Sequence, residues 1–300
     1  MPLKNRIKKQ IRVLASNSLF FQRVFKIFNL INLPRKIFYL FCLNFGLIPK
    51  LSNEKDEIIV SLTSYGHRVK KILHFTLFSL LLQSQKPDKI VVWLDENEFN
   101  SENLPKMLKK LTNFGVDVKF CKNIFSFKKL IPSLKEFPDS VIITTDDDVY
   151  YAKNWLKKLF DKHNENPKAI IGHRAHEITF TDGKMNPYLQ WKQGITKTQN
   201  PQNLFFTGVG GILYPPKSLN EKVLNEELFM KLTPKADDVW FWAMAKLQKT
   251  AFEIPQKPFS NPNPIDIAEE LVSGLTIENI VNNRNDEQIK AVVEYFNLNF

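Results

Sequence analysis

The sequence predicts an α/β fold in which a mainly parallel sheet is sandwiched between helices. Apolar, β-branched runs alternate with segments of helical periodicity along the middle of the chain, the pattern of parallel strands joined by helical crossovers. Several runs end in polar side chains, and the clearest case is Asp146, Asp147 and Asp148 directly after Val141–Thr145. Because ligands of open α/β sheets bind outside the carboxyl ends of the strands, this edge is the predicted functional site.

The predicted elements follow one another in βα order. Strands are predicted where apolar residues run together, and helices where they recur every three or four positions. The predicted strands cover 57–62, 89–94, 116–120, 141–145 and 169–172, and the predicted helices cover 69–83, 104–111, 128–134, 152–163 and 239–249. Residues 181–202 are polar and are predicted to form a long loop. A last helix is predicted over 286–296, after a proline-rich crossing that begins at Pro255.

The first fifty residues form a basic, amphipathic arm that contains ten Lys or Arg and no Asp or Glu. Apolar side chains recur at helical steps from Leu3 to Phe28, and a second apolar stretch covers Ile37–Ile48. A helix as long as the second stretch reaches only about 18 Å, well short of the roughly 30 Å hydrocarbon core of a bilayer. The arm is therefore predicted not to span a membrane.

Two functions for this arm stay open. Basic amphipathic helices with Phe and Leu on one face commonly lie in the interface of anionic membranes. Alternatively, the arm packs on the rest of the chain or on a second copy, which would give an oligomer. On the first of these alternatives, the predicted division is a membrane-associating arm over 1–52, a catalytic domain over 53–254 and a packing extension over 255–300.

Charge and cysteine content narrow the partners and the compartment. Most of the net charge of +11 belongs to the arm, so the body lacks the basic face that a nucleic-acid-binding protein would show, and no nucleic acid partner is expected. Cys42 and Cys121 are the only cysteines and suggest neither a disulfide framework nor a zinc site. The expected location is the cytoplasm, peripheral at the inner face of the cytoplasmic membrane.

The three aspartates after the fourth strand predict a cation site. Adjacent carboxylates repel one another unless a cation is shared among them, and Mg²⁺ or Mn²⁺ with a substrate diphosphate suits such oxygen ligands. The alternative is a solvated acidic turn. No GxGxxG follows the first strand and no GxxxxGK[ST] occurs, so phosphate charge must be met some other way, and one solution is the cation with help from Lys128, Lys129 or Arg68.

Two further groups of residues are candidates for chemistry. The glycines at 208, 210 and 211 either let a ligand approach the backbone or mark a kinked strand. Asp237 and Asp238 precede an amphipathic helix, where one acid would suffice as a cap and the second would be free for chemistry.

Residues 57–250 resemble bacterial nucleotide-sugar glycosyltransferases of the GT-A fold, similar to glycosyltransferase family 2. The run EIIVSLTSYGHR resembles the first strand and nucleotide loop of that family, and KIVVWLDE resembles the strand that ends in a nucleobase-side acid. VIITTDDDVY resembles the metal-binding DxD motif, FFTGVGGILYPP the glycine-containing strand, and KADDVWFW the acidic pair before a helix. The chain departs from the family in its Asp-Asp pair, where Glu-Asp is commoner, and in having no histidine after His176.

The resemblance implies a metal-dependent, inverting transfer of a sugar from a nucleotide diphospho-sugar to a glycan or lipid-linked acceptor, in the synthesis of a bacterial surface polysaccharide. It implies that Asp238 is the catalytic base, with Asp237 beside it, and that Mn²⁺ or Mg²⁺ binds Asp146 and Asp148. The nucleotide-binding residues would be Thr63, Ser64, Tyr65, Arg68, Asp95, Lys129 and Asp147. The sugars would contact His173, Gly210, Gly211 and Trp240.

On the residues alone, two other functions stay open. A metal-dependent nucleotidyl or phosphoryl transferase could use the same carboxylates. A non-catalytic, membrane-bound scaffold could retain a degenerate transferase fold.

Overall fold

The computed structural model describes residues 32–51, 57–261, 263–266 and 284–299. Its strands are β1 (Ile58–Thr63), β2 (Lys89–Asp95), β3 (Val116–Cys121), β4 (Val141–Thr144), β5 (Ile170–Gly172), β6 (Ala175–Glu177), β7 (Phe180–Thr181), β8 (Lys184–Met185), β9 (Lys192–Ile195), β10 (Leu204–Phe206), β11 (Ile212–Tyr214) and β12 (Phe252–Glu253). Its helices are α1 (Leu33–Phe45), α2 (Gly66–Lys71), α3 (Leu73–Leu81), α4 (Lys106–Thr112), α5 (Ile131–Glu136), α6 (Trp155–Glu165), α7 (Glu226–Leu232), α8 (Asp237–Leu247) and α9 (Arg284–Phe296).

Seven strands form the central sheet in the order β12-β5-β11-β4-β1-β2-β3. All neighbours in it are parallel except β11, which runs antiparallel to both β4 and β5. Alternate residues of β1 enter different cores: Ile59 packs with α8 on one face, whereas Val60 and Leu62 pack with α3 and α6 on the other. The predicted α/β fold, a mainly parallel sheet between two helical layers, is confirmed.

The predicted loop over 181–202 is wrong in part. Residues of β9 within it pair with β6, and β10 pairs with the other edge of β6, giving a three-stranded antiparallel sheet. Trp191 is buried there and its indole N–H donates to the carbonyl of Asn186 at 2.7 Å. The strands in this segment are too short to show an alternating apolar pattern. A few aromatic side chains cover them, so the sequence contains no long apolar run that would predict a strand.

Helix α1 is held against the body by one face and leaves the other face exposed. Tyr39 stacks on Phe78 with ring centroids 4.1 Å apart and meets the edge of Tyr150 at 5.6 Å. Cys42 and Leu43 are buried beside it. The opposite face exposes large apolar side chains, namely Leu33, Ile37, Phe38, Phe41 and Phe45. The helical half of the predicted arm that lies in the described residues is thus confirmed as amphipathic, while 1–31 lie outside them.

Residues 263–266 tie this helix to the loop that contains the three aspartates. The N–H of Ile265 donates to the carbonyl of Asp148 at 2.8 Å, and the N–H of Tyr150 donates to the carbonyl of Asn263 at 2.9 Å. The side-chain amide of Asn32 donates to the carbonyl of Pro264 at 2.9 Å, just before α1 begins. The aspartate loop therefore carries a strap made from a distant part of the chain.

Helix α9 packs on the other side of the body, against α7 and α8. The backbone N–H of Lys235 donates to Gln288 at 3.0 Å, and that of Tyr188 donates to Asp286 at 2.6 Å. The helix covers Arg284–Phe296 and so includes the predicted 286–296. No helix within the described ranges combines the length and apolar content needed to cross a bilayer.

We expect Tyr39→Ala to lower the free energy of unfolding by about 2 kcal/mol, because it removes a packed ring from between α1 and the body. For a chain of this size the unfolding midpoint would fall by about 5 °C, which differential scanning calorimetry would measure. Phe38→Ala is the matched control, since Phe38 is exposed on the same helix. Equal destabilisation by the two substitutions would show that α1 is not docked through Tyr39.

Candidate active site

The sheet topology brings the glycine segment beside the aspartates. Because β11 runs antiparallel to β4, Ile212 at its start pairs with Thr144 at the end of β4. The 3₁₀ turn Gly208–Gly210 precedes β11 and therefore lies next to the loop that follows β4. The first two residues of α8 are Asp237 and Asp238, and they face the same place.

Asp147 is buried and fixes the aspartate loop from within. Its carboxylate accepts hydrogen bonds from the hydroxyl of Ser64 and from Nη1 of Arg68, the latter at 2.8 Å. Its backbone carbonyl accepts from the hydroxyl of Thr76 at 2.7 Å. Nη2 of Arg68 pairs in addition with Asp148 at 2.9 Å, so one guanidinium holds two neighbouring carboxylates.

Lys129 lies between the two acidic segments. It ends the 3₁₀ turn Phe125–Lys129 and its Nζ is 3.0 Å from Oδ1 of Asp146, 3.0 Å from Oδ2 of Asp237 and 3.9 Å from Oδ1 of Asp238. Burial alone would lower the pKa of Lys129, but these three carboxylates outweigh it and raise the pKa well above its usual range. The amine is therefore positively charged.

Asp238 is held by a backbone donor. The N–H of Gly208 donates to Oδ2 of Asp238 at 3.0 Å, while Oδ1 faces Lys129. Burial, followed by the neighbouring carboxylate of Asp237, raises the pKa of Asp238 to about 7, although Lys129 opposes the shift. A carboxylate tuned to this range can accept a proton near neutral pH, which is the property a general base needs.

The network contains more negative than positive charge. Five carboxylates meet two cations through Arg68 and Lys129, an excess of three negative charges when all five are ionised. A diphosphate could not enter this site without a further cation, so the residues fit a divalent ion shared with a substrate. Across the described ranges, no three His, Cys, Asp or Glu side chains form a group that could hold a metal ion.

Comparison with known proteins assigns the chain to a family. Residues 59–225, more than half of the chain, match the model for glycosyl transferase family 2. The chain belongs to glycosyl transferase family 2. It is accordingly a glycosyltransferase with a GT-A-like fold, and membership of the family supports the use of a nucleotide-sugar donor. A search of curated protein sequences finds no match.

Three solved structures show distant likeness to this transferase. TarS from S. aureus, residues 1–349, is 15% identical with a TM-score of 0.46, over 79% of this chain and 70% of that one. A CMP:2-keto-3-deoxy-manno-octonic acid synthetase complexed with CTP is 11% identical with a TM-score of 0.44, over 77% of this chain and 100% of that one. The inositol-1-phosphate CTP transferase from T. maritima is 11% identical with a TM-score of 0.43, over 74% of this chain and 97% of that one. These values bear on neither substrate nor mechanism.

Three of the predicted nucleotide residues, Thr63, Tyr65 and Asp95, lie at or just after the ends of β1 and β2, and two of them are engaged within the transferase itself. The hydroxyl of Thr63 donates to the carbonyl of Trp93 at 2.8 Å. Oδ1 of Asp95 accepts from the N–H of Asn97 at 2.9 Å and so caps the turn after β2. Tyr65 presents a half-exposed ring, with the Arg68 guanidinium 5.4 Å from its centre. Their role toward a nucleotide stays a prediction.

The structure places two predicted sugar contacts in the core, and this is a correction. His173 is fully buried: its Nε2–H donates to the carbonyl of Trp155 at 2.9 Å and its Nδ1 accepts from the N–H of Phe259 at 3.2 Å. Trp240 is also fully buried, and its indole N–H donates to the carbonyl of Val223 at 3.0 Å. Both side chains have filled their hydrogen-bonding capacity inside the protein, so neither can contact a sugar.

Packing leaves no room for a side chain at Gly210 or Gly211. A Cβ on Gly210 would come within 2.5 Å of Cβ of Arg174, and one on Gly211 within 2.3 Å of the Trp155 ring. Gly211 has φ +87°, a conformation that favours glycine. These positions answer the predicted alternative of a kinked strand, since the turn they form separates β10 from β11.

The sequence missed one residue of the site, Tyr151, and left the role of Gly208 open. Gly208 faces the acids: a Cβ there would lie 2.5 Å from Nζ of Lys129 and 3.0 Å from Oδ1 of Asp238. Tyr151 accepts the backbone N–H of Asp146 at 2.9 Å through its hydroxyl. The cluster of three glycines within four positions indicated that this segment was special. The sequence could not show which of them lies in the site and which are required by packing.

The pKa of Asp238 predicts the pH dependence of turnover. Under the prediction that Asp238 is the base, it acts only when ionised, so turnover would be present above pH 7 and would fall about tenfold per unit as the pH drops below about 7. In Asp237→Asn a neighbouring negative charge is lost, so the acid limb moves to lower pH. Rates of nucleotide release measured from pH 5 to 9 check both statements, and a flat profile down to pH 5 contradicts them.

Proposed function

We propose that this transferase moves a sugar, with inversion, from a nucleoside diphosphate sugar to a hydroxyl of a glycan or lipid-linked acceptor in bacterial surface polysaccharide synthesis. The observation that carries the proposal is the meeting of two acidic segments around Gly208 and Lys129. One segment, Asp146–Asp148, follows a strand end, and the other contains a carboxylate whose pKa lies near 7. Such a pairing supplies a leaving-group site and a base in one cleft.

In the proposed reaction the acceptor oxygen attacks the anomeric carbon of the donor. The new C–O bond forms as the bond from that carbon to the β-phosphate oxygen breaks, and the bonding electrons leave with the nucleoside diphosphate. Asp238 takes the proton of the attacking hydroxyl. A base on the face opposite the leaving group gives inversion, by the geometric logic that governs inverting glycosidases.

Asp146 and Asp148 are the proposed ligands of Mn²⁺ or Mg²⁺, together with the donor diphosphate. When bound, the ion offsets negative charge that develops on the departing nucleotide. Arg68 holds Asp148 at 2.9 Å, and Tyr151 holds the backbone of Asp146, so the two ligands are fixed before substrate arrives. Ser64, Arg68 and Asp147 serve the donor through this loop, which their mutual hydrogen bonds stabilise.

The nucleotide is proposed to lie across the ends of β1 and β2. The exposed ring of Tyr65 offers a stacking surface to a nucleobase, and a base–aromatic stack is worth about 1–3 kcal/mol. Thr63 and Asp95 lie at the same edge of the sheet, at the ends of two neighbouring parallel strands.

The acceptor side is proposed to face a membrane from the cytoplasm. The exposed apolar face of α1, with basic residues and no acidic ones in the first fifty positions, supports docking on an anionic leaflet. The buried face of α1 contacts Tyr150, two residues after Asp148. A lipid-linked acceptor would then be presented close to the donor loop.

Asp238→Asn and Asp148→Ala should separate the chemistry from donor binding. Asp238→Asn removes the base and leaves the donor ligands in place, so turnover should fall about 10²–10⁴-fold with nucleotide affinity retained. Asp148→Ala removes a metal ligand and should weaken UDP or GDP binding in the presence of Mn²⁺. Nucleotide release from UDP- and GDP-sugars and isothermal titration with the free nucleotides measure the two effects.

Asp139→Asn is the matched control, because Asp139 is an exposed carboxylate at the other end of β4. It should leave both turnover and affinity unchanged. Wild-type turnover in Asp238→Asn would remove Asp238 from the role of base. Normal Mn²⁺-dependent affinity in Asp148→Ala would contradict the proposed metal site.

Replacing Phe41 and Phe45 together by Ser should weaken binding to vesicles that contain phosphatidylserine by at least about tenfold, since two exposed rings no longer enter the interface. Vesicle co-sedimentation measures the effect. Tyr295→Ser is the control, because Tyr295 is an equally exposed aromatic on α9. Unchanged vesicle binding with a shift in molecular mass on gel filtration would show that the face contacts a second copy instead.

A further inference from the structure

The ammonium group of Lys129 is enclosed by the chain's own carboxylates. The side chain is almost fully buried, and Nζ lies 3.0 Å from both Asp146 and Asp237 and 3.9 Å from Asp238. An ammonium group has three N–H donors, and three carboxylates surround this one. A phosphate could reach it only by displacing one of these acids, so the arrangement does not favour the nucleotide contact that the sequence predicts for Lys129.

The surroundings are built to keep the amine in this place. Phe127, two residues earlier in the same turn, is fully buried and stacks on Phe229 with centroids 4.2 Å apart. That packing fixes the backbone from which Lys129 extends. On the opposite side, the missing side chain of Gly208 leaves the space that Nζ needs, since a Cβ there would lie 2.5 Å from it.

We propose that Lys129 is a positioning residue, which holds the carboxylate of Asp238 in place for proton transfer and ties it to the donor side of the site through Asp146. The proposal rests on the role of Asp238 under the proposed function. Asp146 follows β4, whereas Asp237 and Asp238 begin α8. The amine therefore links two elements that lie far apart in the sequence. Without it, three neighbouring carboxylates would repel one another, and Asp238 would lose the positive charge that faces its Oδ1 and keep the N–H of Gly208 at its Oδ2.

The two roles for Lys129 predict opposite changes in nucleotide affinity. If Lys129 bound the donor phosphates, its removal would weaken binding of UDP or GDP. If it is a counter-ion of Asp146, its removal frees that carboxylate to bind Mn²⁺ more tightly, so nucleotide binding at saturating Mn²⁺ is retained or becomes tighter. Turnover separates from affinity in the second case only, because the lost interaction acts on the base.

The test compares Lys129→Met, Lys129→Ala and Lys119→Met with the wild-type transferase. Lys119 is the matched control: it also bridges two carboxylates, with Nζ 2.7 Å from Glu136 and 3.4 Å from Asp117, but it lies on β3 away from the acids of the site. The measurements are nucleotide release from UDP- and GDP-sugars into water, affinity for UDP and GDP with Mn²⁺, and the unfolding midpoint. Ethylammonium is then added to Lys129→Ala, whose cavity would admit the small cation.

We expect Lys129→Met to lower turnover by about 100-fold while the dissociation constant of the nucleotide stays the same or falls. Lys119→Met should keep wild-type turnover. Ethylammonium should restore turnover of Lys129→Ala by at least about tenfold, because it returns a positive charge to the same cavity. A role in folding alone would not respond to the added cation in this way.

Several results would overturn the inference. A weaker nucleotide affinity with unchanged turnover at saturating donor would make Lys129 a donor contact. If the Lys129 variants are unfolded and ethylammonium restores no turnover, Lys129 has a structural role only. Asp238→Asn is measured in parallel: if it is inactive and Lys129→Met is active, the positioning role alone fails, whereas wild-type turnover in both means that the proposed base is wrong as well.

Discussion

Repulsion among five carboxylates is the constraint on which the arrangement of this site depends. They come from two distant parts of the chain, the loop after β4 and the start of α8, and they are held together by Arg68 and Lys129. Each cation serves more than one acid, which leaves the network short of positive charge. Burial, together with the neighbouring carboxylate of Asp237, raises the pKa of Asp238 toward neutrality, and the deficit would favour a further cation.

The antiparallel strand β11 is what makes this concentration of charge possible. If β11 ran parallel to β4, its first residue would lie at the opposite edge of the sheet, far from the end of β4. Here the turn that precedes β11 lies beside the aspartates, and its first glycine gives both space to an amine and an N–H to a carboxylate. Gly208 therefore contributes to the charge arrangement of the site through its backbone N–H and through the space left by its missing side chain.

The sequence predicted the sheet and the acids well because both leave local signals. Apolar runs mark β1 to β4, and adjacent aspartates after a strand are unusual enough to indicate a site. What it could not show is which polar residues are satisfied inside the protein. His173 and Trp240 have the composition of ligand contacts, yet their partners are backbone carbonyls and an N–H from distant segments. Only the tertiary fold supplies those atoms.

The position of α1 changes what counts as the smallest complete transferase. The rings of Phe78 and Tyr150 are covered by Tyr39, and the carbonyl of Pro264 is bonded by Asn32. A protein shortened to begin at β1 would uncover these groups within a few residues of Asp148. The segment that matches the family model, 59–225, is thus smaller than the unit that keeps the aspartate loop in shape here. Exchange of modules between related transferases would have to carry this helix along with the strap it holds.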